Sequence, residues 1–130
     1  MHKSCISYGL NLTNDAPKAV GPYSQAILVN GVLYASGQIA INPENQTMVD
    51  GDVVAQTEQI VKNIGAVLKA ADMGFENVVK TTCFLAEMAD FATFNAVYEK
   101  YFISKPARSC VAAKELPKGA LAEIEIIAVK

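Results

Sequence analysis

The chain has 130 residues, of which 52% are apolar and 18% charged, and its formal net charge is −2. That size suits a single domain over residues 1–130, and that composition suits a buried core rather than a disordered chain. With no run of lysine or arginine, no face for nucleic-acid phosphates is expected.

The opening "MHKSCISYGL" lacks the apolar run of a leader, and no stretch has the length of a membrane span. A cytoplasmic protein is therefore expected, although an organelle form trimmed of its presequence would read the same. In "AILVNGVLYASGQIAI", residues 26–41, two apolar runs flank Asn30-Gly31, a pair suited to a two-residue hairpin turn. Asn42-Pro43 is expected to end the second strand, and "PENQTMVDGD" reads as a polar loop. Next, Thr57, Ile60, Val61, Ile64, Val67, Leu68 and Ala71 recur at three- and four-residue steps, the spacing of one buried helix face. Asp52 is the expected cap at its start and Gly74 at its end.

"ENVVKTTCFLA" alternates and is rich in β-branched residues, so it predicts a strand. A second helix follows in "ADFATFNAVYEKYF", with Asp90 as cap and Phe94, Val97, Tyr98 and Tyr101 on its buried stripe. The chain closes with a strand in "KPARSCVAA", a turn at "LPKGA" and a strand in "LAEIEIIAV". This order predicts an α+β or mixed α/β layer with both helices on one face of one sheet. The uncovered face, not simply polar, is expected to meet copies of itself in a closed oligomer.

Alternation puts Arg108, Cys110 and Ala112 on one side of their strand, and Glu123 and Glu125 on one side of theirs. The turn between the two strands suggests that they pair antiparallel, with Arg108 and Cys110 near Glu123 and Glu125. Such a group reads two ways. It is a structural Arg–Glu ion pair beside a core cysteine, or it is an anion pocket in which the arginine fork grips a carboxylate and a glutamate handles protons.

The three cysteines, Cys5, Cys83 and Cys110, are scattered without a C-x-x-C pair, and the single histidine is His2. A disulfide framework, a zinc site and a histidine-based triad are all unsupported. Cys5 and Cys83 are assigned to structure. The chemistry is left to Arg, Glu, Tyr, Cys, Asn and backbone groups, with no metal or cofactor.

Four stretches, "APKAVGPYSQA", "YASGQI", "DFATFNAVYEKYF" and "KPARSCV" with "LPKGALAEIEIIAV", together resemble the YjgF or RidA family of reactive-intermediate deaminases. Its older name is endoribonuclease L-PSP. The resemblance runs from Asp15 to Lys130. It implies a chorismate-mutase-like fold, a mixed sheet with two helices on one side, closed as a homotrimer with clefts between subunits. It also implies hydrolysis of the imine and enamine products of pyridoxal-phosphate dehydratases to 2-oxoacids and ammonia.

By the same resemblance Arg108 holds the substrate carboxylate, Glu123 positions or activates water, and Cys110 lies beside the reacting carbon. Tyr23 closes the pocket, and Asn95, Ser36 and Gly37 line it. Without the resemblance, Tyr23 is a rim aromatic, Asn95 a solvent-facing helix residue, Cys110 an inert core thiol, and Ser36-Gly37 a bulge. The connector "ISK" before Pro106 is shorter than in many members, a departure expected to reshape the pocket edge. Two alternatives remain: the endoribonuclease or translation inhibitor of the older name, and a non-catalytic module that binds 2-oxoacids.

Overall fold

In the computed structural model, which describes residues 6–9 and 13–130, eight strands and two α-helices form the framework. His2 and Cys5 lie outside the described residues. The strands are β1 (Ile6–Gly9), β2 (Ala26–Val29), β3 (Val32–Gln38), β4 (Ile41–Asn42), β5 (Thr47–Met48), β6 (Val78–Leu85), β7 (Ala107–Ala112) and β8 (Ala122–Val129). The helices are α1 (Val53–Ala70) and α2 (Phe91–Tyr101). No helix of the described residues is long and apolar enough to cross a membrane.

The main sheet runs β1-β2-β3-β8-β6-β7, antiparallel except for the parallel β6–β7 pair. The hairpin at Asn30-Gly31 forms as expected, both residues holding positive φ (49° and 78°). The polar loop after it is more ordered than its composition suggests. β5 forms within it and pairs with β4 just before it, and β3 itself stops at Gln38.

The expected pairing of the Arg108 and Glu123 strands does not occur. β8 inserts between β3 and β6, and β7 lies outside β6 as an edge strand. The cause is the crossover: α2 returns the chain beside β6 in the parallel sense, so β6 takes β7 on one side and β8 on the other. Residues 113–121 then carry the chain past β6, too long a path for a tight hairpin.

One sheet face is covered by helices. Leu33, Thr81, Cys83, Leu85, Ile124, Ile126 and Ala128 are buried on it, against Ile60, Ile64, Leu68 and Phe94. The other face stays open and presents Tyr34 and Val111, each 49% exposed. All seven residues of the predicted α1 face are buried. Asp52 caps α1, its carboxylate accepting from the Ala55 amide at 3.1 Å. Gly74 does not end it, because α1 stops at Ala70 and Asp72 takes the left-handed position. On α2, Phe94, Val97 and Tyr98 are buried and Tyr101 half-buried, while Asp90 stands at the cap position without a side-chain cap bond.

Candidate functional site

Arg108 pairs in register with Thr81, and Cys110 with Cys83. Both Thr81 and Cys83 face the helices, so Arg108 and Cys110 do too. There the Arg108 guanidinium donates from Nη1 to Asn95 Oδ1 at 2.8 Å, and its Cζ lies 4.8 Å from the Tyr98 ring centroid and 5.5 Å from that of Phe91. Among the described residues no carboxylate pairs with it; the one ion pair there is Lys100–Glu58. The structural Arg–Glu pair is therefore absent. Asn95 is not a solvent-facing residue but the acceptor that sets one end of the fork. Arg108 and Asn95 open onto a hollow of about 800 Å³ between α2 and the β7 edge. The "ISK" connector forms its rim in a tight turn, with Lys105 at φ 51°.

Glu123 lies on the other face. It pairs with Phe84, which alternates with the buried Cys83 and Leu85. Tyr23, Ser36, Gly37 and Glu123 line one cleft of about 570 Å³. Ser36-Gly37 is a bulge: between the Ala35–Ile126 and Gln38–Ile124 pairs, two residues of β3 oppose Glu125 alone. The bulge makes room as well, for a β-carbon on Gly37 would run into Glu123 Oε2. Ser36 Oγ donates to the Ser24 carbonyl at 2.7 Å, and buried Gln25 bonds Thr13 and Pro17, which ties down the loop carrying Tyr23. Burial pushes the Glu123 carboxyl above its ordinary value, and neighbouring Glu125 pushes it the same way.

Cys110 belongs to the Arg108 strand and face but lines neither hollow. Burial raises its thiol against the opposing pull of Arg108, and raises Cys83 to about 12. Neither is an activated thiolate. Glu125 stays on the open face, in a small hollow with Tyr34 and Lys80. The predicted residues thus fall into two groups on opposite faces: Arg108 with Asn95, and Glu123 with Tyr23, Ser36 and Gly37. Sequence reasoning placed Tyr98 only in the core stripe. Its position three residues after Asn95, hence on the same helix face, was the available signal. Lys18 and Lys118, which also line the Glu123 cleft, carried no such signal.

Residues 13–130 match the family model described as endoribonuclease L-PSP. A Lactococcus lactis protein carrying the regulator name AldR is 55% identical over 89% of this chain and 93% of its own length. The mouse 2-iminobutanoate/2-iminopropanoate deaminase is 49% identical over 91% of this chain and 88% of its own. The crystal structure of YyfA from Yersinia pestis, of the Rid protein family, superposes with a TM-score of 0.91 at 48% identity, covering 96% of this chain and 99% of that one. Fold, motif order and these likenesses agree, and the chain belongs to the endoribonuclease L-PSP, or Rid, family.

Proposed function

We propose that the chain is a hydrolytic deaminase of 2-imino and 2-enamine acids, such as 2-iminobutanoate, 2-iminopropanoate and 2-aminoacrylate. The observation that carries this reading is Arg108, a cation with no carboxylate partner among the described residues, held by Asn95 and Tyr98 at an open hollow. Such a fork suits the carboxylate of a small acid. The name of the mouse relative points to the same chemistry.

The reaction asks little of the protein. The raised carboxyl of Glu123 donates its proton to the imine nitrogen, and water attacks the resulting iminium carbon. Glu123 takes a proton from that water to give a carbinolamine, passes it to the amine as the C–N bond breaks, and takes the remaining hydroxyl proton as the carbonyl forms, which leaves a 2-oxoacid and ammonia and restores the protonated carboxyl. An enamine instead accepts the proton at carbon 3 and so becomes the same iminium. A placed acid–base of this kind adds on the order of 10²–10⁴ in rate.

One chain does not bring the two half-sites together, since they occupy opposite faces. We assign the complete site to copies of the chain joined in a homotrimer, the open sheet face of one copy, which carries Glu123, meeting the α2–β7 edge of its neighbour, which carries Arg108. The exposed Tyr34 and Val111 support burial of that face.

The test couples purified protein to a threonine dehydratase and follows 2-oxobutanoate with semicarbazide competing for the imine. Faster 2-oxoacid release is expected, and Arg108→Ala, losing bonds worth about 1.5–3 kcal/mol each, reduces it by at least roughly a hundredfold. Full acceleration by that variant overturns the role of Arg108. The family description also favours an RNA-cleavage reading. RNA cleavage that persists through repurification, with steep salt dependence, would favour it over the deaminase. Saturable 2-oxobutanoate binding without turnover would leave a binding module.

A further inference from the structure

We infer that Tyr98 is a positioning residue for Arg108, fixing the plane of the guanidinium through a ring that buried Thr81 holds in place. The inference rests on the reading of Arg108 as the carboxylate anchor.

Three elements meet around this arginine. Arg108 on β7 stands in register with Thr81 on β6. Thr81 is wholly buried, and its Oγ1 lies 2.7 Å from the Tyr98 hydroxyl in a hydrogen bond in which either oxygen can donate. From α2, the Tyr98 ring then comes under the guanidinium, with Cζ 4.8 Å from the centroid. Phe102 stacks on the same ring at 4.2 Å and 22°, and Phe94 packs against it at 5.8 Å, so the ring is held along its body as well as at its tip.

Asn95 and Tyr98 therefore divide the task within one helical turn. A single hydrogen bond from Nη1 to Asn95 fixes one end of the guanidinium but leaves its plane free to swing about that contact. A flat cation also prefers to lie over an aromatic face, and that contact strengthens as water is excluded. With both in place, the fork is aimed before an acid arrives, so little ordering is left for binding. Hydrogen-bonding the far end of the ring to β6 ties its position to the strand beside Arg108.

The test measures KM and kcat for dehydratase-generated 2-iminobutanoate, with 2-oxobutanoate titration by calorimetry, on the assembled protein. Tyr98→Leu removes the ring face and is expected to raise KM about tenfold while kcat changes by less than about threefold. Tyr98→Phe keeps the face and should bring KM back to within about threefold of the parent. Thr81→Val keeps volume but frees the ring tip, and KM should rise roughly two- to threefold.

A merely structural tyrosine would lower the folded fraction, and with it kcat, at unchanged KM. That pattern overturns the inference, as does an unchanged KM in folded Tyr98→Leu or no rescue by phenylalanine. If Tyr98→Leu does not fold, Thr81→Val decides, and an unchanged KM there is also fatal. If the parent shows no turnover, the deaminase reading falls and titration takes over. Weaker 2-oxobutanoate binding in these variants than in the parent sustains the positioning role, and equal binding, or no binding by the parent itself, removes it.

Discussion

Glu123 has its setting because Gly37 has no side chain. A β-carbon there would meet Glu123 Oε2, the mobile end of a flexible side chain, so Gly37→Ala displaces the carboxyl rather than the backbone. Melting is expected to change by less than about 1 kcal/mol, while turnover falls roughly 10- to 100-fold, because small misplacements of a catalytic group are costly. A large loss of stability with turnover intact would contradict this. The pH response follows from the raised Glu123 carboxyl. In the proposed mechanism its protonated form starts the reaction, so kcat/KM is expected to fall as pH rises through that raised value. Glu125→Gln removes a like charge that pushes Glu123 upward, so this limb moves to lower pH in a pH–rate profile. An unmoved limb would free Glu123 from the role. The thiols point the other way. With Cys83 raised to about 12 and Cys110 also raised, iodoacetamide at neutral pH should label both far more slowly than a free thiol, as read by mass spectrometry.

Elements with a strong local signal were legible. Asn30-Gly31 specifies its turn whatever surrounds it, and the α1 stripe needs only its own spacing. Asp52 belongs with them, and Asp52→Ala is expected to cost about 1 kcal/mol, read as a lower melting temperature with KM unaltered. No change in melting would mean that water replaces the cap bond. Strand pairing was less legible because it is decided at a distance. Nothing within "KPARSCV" or "LAEIEIIAV" tells that β6 stands between them; the α2 crossover does. The same error hid the split of the site. Arg108 and Glu123 were placed together by sequence proximity, whereas register through β6 sends them to opposite faces. Gly74 misled for a local reason, since Asp72 took the left-handed turn two residues earlier.

For the whole molecule, this separation is the organising fact. Arg108 has its acceptor, its aromatic floor and its hollow on the helix side, and Glu123 has its bulge and its cleft on the other. A sheet is too thick for one substrate to touch both faces through it, so the proposed reaction requires the two halves to come from different copies. That makes a sharp prediction for mixed assemblies. Arg108→Ala and Glu123→Gln are each expected to be nearly inactive alone. Unfolded, mixed in equal amounts and refolded together, they should recover about a quarter of parental activity, since in a closed ring one site in four draws both intact halves by chance. The assay is the coupled 2-oxobutanoate release, on material whose size is checked by light scattering. A site contained within each chain gives no recovery, because every chain in the mixture carries one defect. Recovery near a quarter requires that the arginine and the glutamate serving one substrate come from different chains.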